Sequence, residues 1–91
     1  MSSLSERLEQ RLARVKPNLS IFGQAITMEL ENYVLEGKPL EGFEREVALA
    51  TSSQTALDLA GDDKDMRLNF TQELNAIREA CLGALYERNQ P

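Results

Sequence analysis

Three aspartates stand within four residues in the stretch DLAGDDKDMRLNF, Asp58 to Phe70, directly behind a glycine. Carboxylates at such density can hold a hard cation, because Ca²⁺ takes six to eight oxygen ligands. The spacing argues against it. A calcium loop alternates ligands at its positions 1, 3 and 5, places glycine at 6 and closes with a bidentate glutamate at 12. Here Gly61 precedes Asp62, Asp63 and Asp65, and the twelfth residue from Asp62 is Glu73, well inside the helix that follows. A helix-ending glycine followed by an acid that caps the next helix explains the stretch instead.

The other reactive groups are few. Histidine is absent and Cys81 is the lone cysteine, which excludes an intramolecular disulfide, a Cys/His zinc site and any catalysis that uses imidazole. Cys81 falls on an apolar seam, where cysteine behaves as a small hydrophobe. Carboxylates are plentiful, notably Glu29, Glu31 and Glu36, then Glu41, Glu44 and Glu46. A carboxylate enzyme needs a cleft that drives two of their pKa values apart. The plainer reading puts these acids in solvent, with the second group favoured by a helix N-terminus. No catalytic residue, cofactor or metal ligand is therefore assigned, and no enzyme activity is expected.

Arg7, Arg11 and Arg14 line one side of the first segment beside Leu4, Leu8, Leu12 and Val15. A basic amphipathic helix of this kind docks on acidic protein surfaces or on membranes. Glu6 and Glu9 dilute the charge and no aromatic residue anchors the segment, which disfavours a membrane. These seven residues are the candidate partner-binding set. Net charge is −5 and unevenly placed: residues 1–17 hold four basic and two acidic side chains, leaving six basic against thirteen acidic in the remainder. Such a body repels phosphates, so direct nucleic acid binding is not expected.

Four helices must position these groups. Leu4, Leu8, Leu12 and Val15 define the first, opened by the capping-box order Ser3-Leu4-Ser5-Glu6. Pro17 breaks the chain, and Asn18 is placed to cap a second helix with Leu19, Phe22, Ile26, Leu30, Tyr33 and Val34 on its main stripe. Ile21, Ala25, Met28 and Leu35 widen that stripe until Gly37 and Pro39 stop it. A third helix spans about Gly42 to Ala60. Its ATSSQT centre is weakly helical, and small residues there suit the close approach of another helix better than a kink. From Asp65 a fourth helix carries the seam Met66, Phe70, Leu74, Ile77, Cys81 and Leu85. Gly83 beside Ala76, Ala80 and Ala84 suggests close backbone contact.

The expected fold is all-α: a small four-helix domain over residues 1–91, with helices 3 and 4 as a long antiparallel hairpin and helix 1 as a short amphipathic arm. The arm covers residues 1–16 and the helical core 18–91, so loss of the arm should leave a folded remainder. The N-terminal stretch lacks the apolar centre of a secretory signal, and the expected location is cytoplasmic. Only five aromatic residues support a thin core, and the two first helices show more apolar stripe than one hairpin covers. The expected function is a small protein–protein interaction module, an adaptor, chaperone or inhibitor acting through a helical face on a larger protein or as a homodimer. The alternative is an acidic decoy that blocks a partner's nucleic-acid-binding site; a small carboxylate enzyme ranks behind it.

Overall fold

A computed structural model describes residues 3–87, and every ordered element in that range is helical. Helix α1 spans Leu4–Val15, α2 Ile21–Leu35, α3 Glu41–Ala50, α4 Ser53–Ala60 and α5 Lys64–Glu87. The all-α expectation holds. Counting α3 and α4 as one bent element gives the four expected helices.

Ser3 caps α1 by accepting from the amide of Glu6 at 3.2 Å, and its hydroxyl lies 3.3 Å from the Glu6 carboxylate. Pro17 then turns the chain through one 3-10 turn, Lys16–Asn18. The cap of α2 is Ser20, and not Asn18 as the sequence predicts: the 3-10 turn absorbs Asn18, while Ser20 adopts an extended backbone and accepts from the amide of Gly23 at 3.3 Å. Ser20 also donates its own N–H (2.7 Å) and Oγ–H (3.0 Å) to one oxygen of Glu73 on α5. Gly23 makes room for that carboxylate, since a Cβ there would collide with it.

The third helix departs from expectation at its hydroxyl-rich centre. Thr51 leaves helical geometry and returns its hydroxyl to the Val47 carbonyl at 2.6 Å. Ser52 becomes the N-cap of α4, accepting from the Thr55 amide at 3.2 Å, and the Thr55 hydroxyl donates to the Leu49 carbonyl at 3.0 Å. Three side chains thus take over backbone partners and bend the helix, the competition that makes Ser and Thr poor helix formers. A kink forms where close packing alone was expected. The long hairpin is accordingly not confirmed: the bend leaves α4 packed on α5, while α3 divides its contacts between α5 and α2.

Helix α5 is the spine, about 36 Å long at 1.5 Å per residue, and each of the other four helices packs on it. Phe70, Leu74, Ile77, Cys81 and Leu85 of its seam are buried; Met66 remains exposed. Leu8 and Leu12 of α1, Leu30 of α2, and Phe43 and Val47 of α3 meet them in a single cluster. The nearest neighbour of Gly83 is a side chain, the Arg11 guanidinium that lies across it, in place of the close backbone contact expected.

Helix α1 is therefore part of the core. Leu8 and Leu12 are 1% and 0% exposed, and that burial argues against the expectation that residues 1–16 can be removed from a stable remainder. Truncation to residue 17 should abolish the cooperative urea transition. Leu12→Ala in the full chain should lower stability by about 2–5 kcal/mol, measured as a shift of the urea midpoint at constant slope.

Candidate interaction surface

The aspartate cluster is a turn. Gly61 ends α4 at φ +61°, outside the range an L side chain favours, and its amide bonds to the Leu57 carbonyl at 2.8 Å. Asp63 caps α5, its carboxylate accepting from the Met66 amide at 3.0 Å. Among the described residues no cluster of His, Cys, Asp and Glu has the grouping of a metal site.

The carboxylates of α2 and α3 are placed individually. Glu31 pairs with Lys16 at 2.7 Å and Glu36 with Lys38 at 3.2 Å. Glu44 accepts from the Tyr86 hydroxyl at 2.9 Å, and that bond is the main reason the phenol titrates above its ordinary range. Glu29, Glu36 and Glu46 line one shallow cleft together with Asn32, Tyr33 and Lys38. Lys38 caps it from the Tyr33 ring, 5.3 Å from the centroid. Cys81 is buried, and burial, reinforced by the charge of Glu31, pushes its thiol up to about 12.

The seven residues singled out on α1 divide. Leu4, Leu8 and Leu12 are buried, as is Arg7, whose Nε donates to the Ala84 carbonyl at 3.1 Å. These four are spent inside the chain, because the apolar stripe of α1 matches the seam of α5. Arg11 reaches Glu87 at 2.8 Å. Arg14 is exposed and Val15 half-buried, at the edge of a surface cleft shared with Asn18, Leu19, Asn69 and Glu73.

Exposed apolar side chains occur on several helices, Leu49, Leu57, Met66, Leu68 and Tyr86 among them, and on α2 they form a row. Gly23, Thr27 and Leu30 face the core, whereas Ile21, Met28 and Leu35 on the opposite side are 81%, 63% and 70% exposed. Exposed Ala25 and Asn32 fall between them, completing a stripe with alternating steps of four and three. At its edge Phe22 packs edge-on against Phe70, ring centroids 5.9 Å apart, and remains half-exposed. Helix α2 therefore carries apolar residues on both sides, one buried and one exposed. That signal was present in the sequence as the widening of the α2 stripe. Its meaning required knowing which side the core takes.

Among the described residues, no helix is long and apolar enough to cross a membrane. Comparisons with protein-family models, with curated proteins and with solved structures gave no match.

Four measurements check these assignments. Asp63→Ala should cost about 0.5–2 kcal/mol as a lost cap, while Ca²⁺ at about millimolar concentration leaves the melting temperature unchanged. Iodoacetamide at about pH 8 should label Cys81 only as fast as the chain opens, and at once in urea. Since the folded thiol titrates near 12 and the ordinary value is 9.0, the unfolded chain holds fewer protons between them. The stability this thiol contributes is complete below about pH 9 and declines as the pH rises toward 12, a decline that Cys81→Ala should reduce.

Proposed function

We propose that the protein is a small protein-binding module, an adaptor or inhibitor, that docks on a larger protein through the outer face of α2. The observation that carries this reading is the exposure of Ile21, Met28 and Leu35 in one row, opposite a buried face on the same helix. Scattered exposed hydrophobics are ordinary; a continuous stripe with an apolar side chain at each second turn is an interface pattern. The sequence-predicted face on α1 contributes less, because its leucines lie in the core.

Magnitudes define what the face requires. Covering Ile21, Met28 and Leu35 gains on the order of 5 kcal/mol, and association costs roughly 4–15 kcal/mol. Three side chains are insufficient alone. Phe22 at the edge of the stripe and polar contacts along its rim supply the remainder.

A second reading rests on the cleft shared by Glu29, Glu36 and Glu46: carboxylates from α2 and α3 on one surface are what a decoy for a nucleic-acid-binding site needs. It ranks second because Lys38 lies among them and an apolar stripe runs alongside.

A photo-cross-linking amino acid at position 28, introduced in the source cell, should trap a protein adduct that the same amino acid at Asp58, exposed on α4, does not. Equal labelling from both positions, or none from position 28, would sink the docking reading.

A further inference from the structure

The chemistry of the α2 rim selects among occupants of its apolar face. We infer that the partner presents a basic amphipathic helix, laid along α2 with apolar anchors between Ile21, Met28 and Leu35 and with lysines or arginines over Glu29 and Glu46. The inference rests on the docking function proposed above and names the class of partner.

The stripe Ile21, Ala25, Met28, Asn32, Leu35 has the four-three spacing of a helix–helix seam. From Ile21 to Leu35 it runs about 21 Å at 1.5 Å per residue, about four turns, which one partner helix of comparable length can cover. Gln24 and Glu31 flank it on one side, Phe22, Glu29 and Glu36 on the other, and α2 contains no lysine or arginine. Lys16 and Lys38 already hold Glu31 and Glu36. Glu29 and Glu46 share the cleft beside the stripe; Lys38 lines it too but is paired with Glu36, and among the described residues no cation lies within ion-pair distance of Glu29 or Glu46.

A second copy of the chain is a poor occupant. An antiparallel pairing centred on Met28 brings Glu29 close to its own symmetry mate and sets Asn32 against Ala25, which offers that amide no side-chain partner. A parallel pairing sets Glu31 across from Glu36 of the other copy. The antiparallel register leaves the Glu29 pair with no lysine bound to it, and in the parallel register Lys16 and Lys38 offset the carboxylates only in part while adding nothing attractive across the seam. A basic helix removes the conflict in either direction, and a polar residue opposite Asn32 fixes its register.

Two synthetic helical peptides of about 18 residues test this, with identical leucine stripes interrupted by one asparagine and rims of either lysine or glutamate. Fluorescence anisotropy with the full chain should give at least about tenfold tighter binding of the lysine peptide at low salt, a preference that shrinks as salt rises from about 50 to about 500 mM. Met28→Asp should remove binding, and Glu29→Lys with Glu46→Lys should shift the preference toward the glutamate peptide; circular dichroism melts verify that both variants remain folded. Equal affinity for the two peptides, or lysine-peptide binding indifferent to Met28→Asp, overturns the basic partner. Failure of both peptides beside a position-28 adduct in the cell also overturns it while leaving the docking reading intact. Self-association by light scattering that Met28→Asp abolishes assigns the face to a second copy and overturns it as well.

Discussion

Everything in the molecule leans on α5. It is the one helix that every other helix touches, and its seam from Phe70 to Leu85 supplies the wall against which α1 lays Leu8 and Leu12. A chain of 91 residues has a high ratio of surface to volume, so a core built around one central rod is an economical way to cover both ends of the rod. The stack is correspondingly elongated, 44 × 24 × 22 Å. Such a shape leaves each outer helix with one face on α5 and one face outward. For α1 the outward face is polar. For α2 it is not.

That difference reorganises the division of labour among the charged residues. The arginines of α1 serve the interior and its margin: Arg7 ties α1 to the Ala84 carbonyl, and Arg11 covers Gly83 on its way to Glu87. An arginine can do this because its three-carbon stem packs as hydrocarbon while the planar head keeps its donors available. The acidic surplus collects on the opposite flank, around α2 and α3. Packing thus draws Arg7 inward and Arg11 to the margin, while Arg14 stays exposed.

The periodic helices were legible from residue types alone. Leu4, Leu8, Leu12 and the seam of α5 repeat at helical spacing, and the acids after Gly61 read correctly as a turn with a cap. The bend at Thr51 was harder, because hydroxyls that weaken a helix do not specify whether tertiary contacts will hold it straight. Choosing Asn18 over Ser20 as a cap failed for a related reason. Both are good caps, and the selection came from Glu73, fifty-three residues away. The face of α2 was the least legible. Periodicity shows that a helix has apolar residues on two sides, but which side the core takes depends on the helices it meets.

The bond between Ser20 and Glu73 makes the start of α2 a clasp. One carboxylate oxygen receives both the N–H and the hydroxyl of the capping serine, seated where Gly23 leaves a notch. A force applied along α2 is therefore delivered to the middle of α5 through two hydrogen bonds that end on a single atom. The clasp resists sliding, since a displacement of one turn would strip both donors from the acceptor at once and drive a side chain into the notch. Helix α2 is in this sense a shelf resting on the core through Leu30, with its first turn bolted to the residue at position 73.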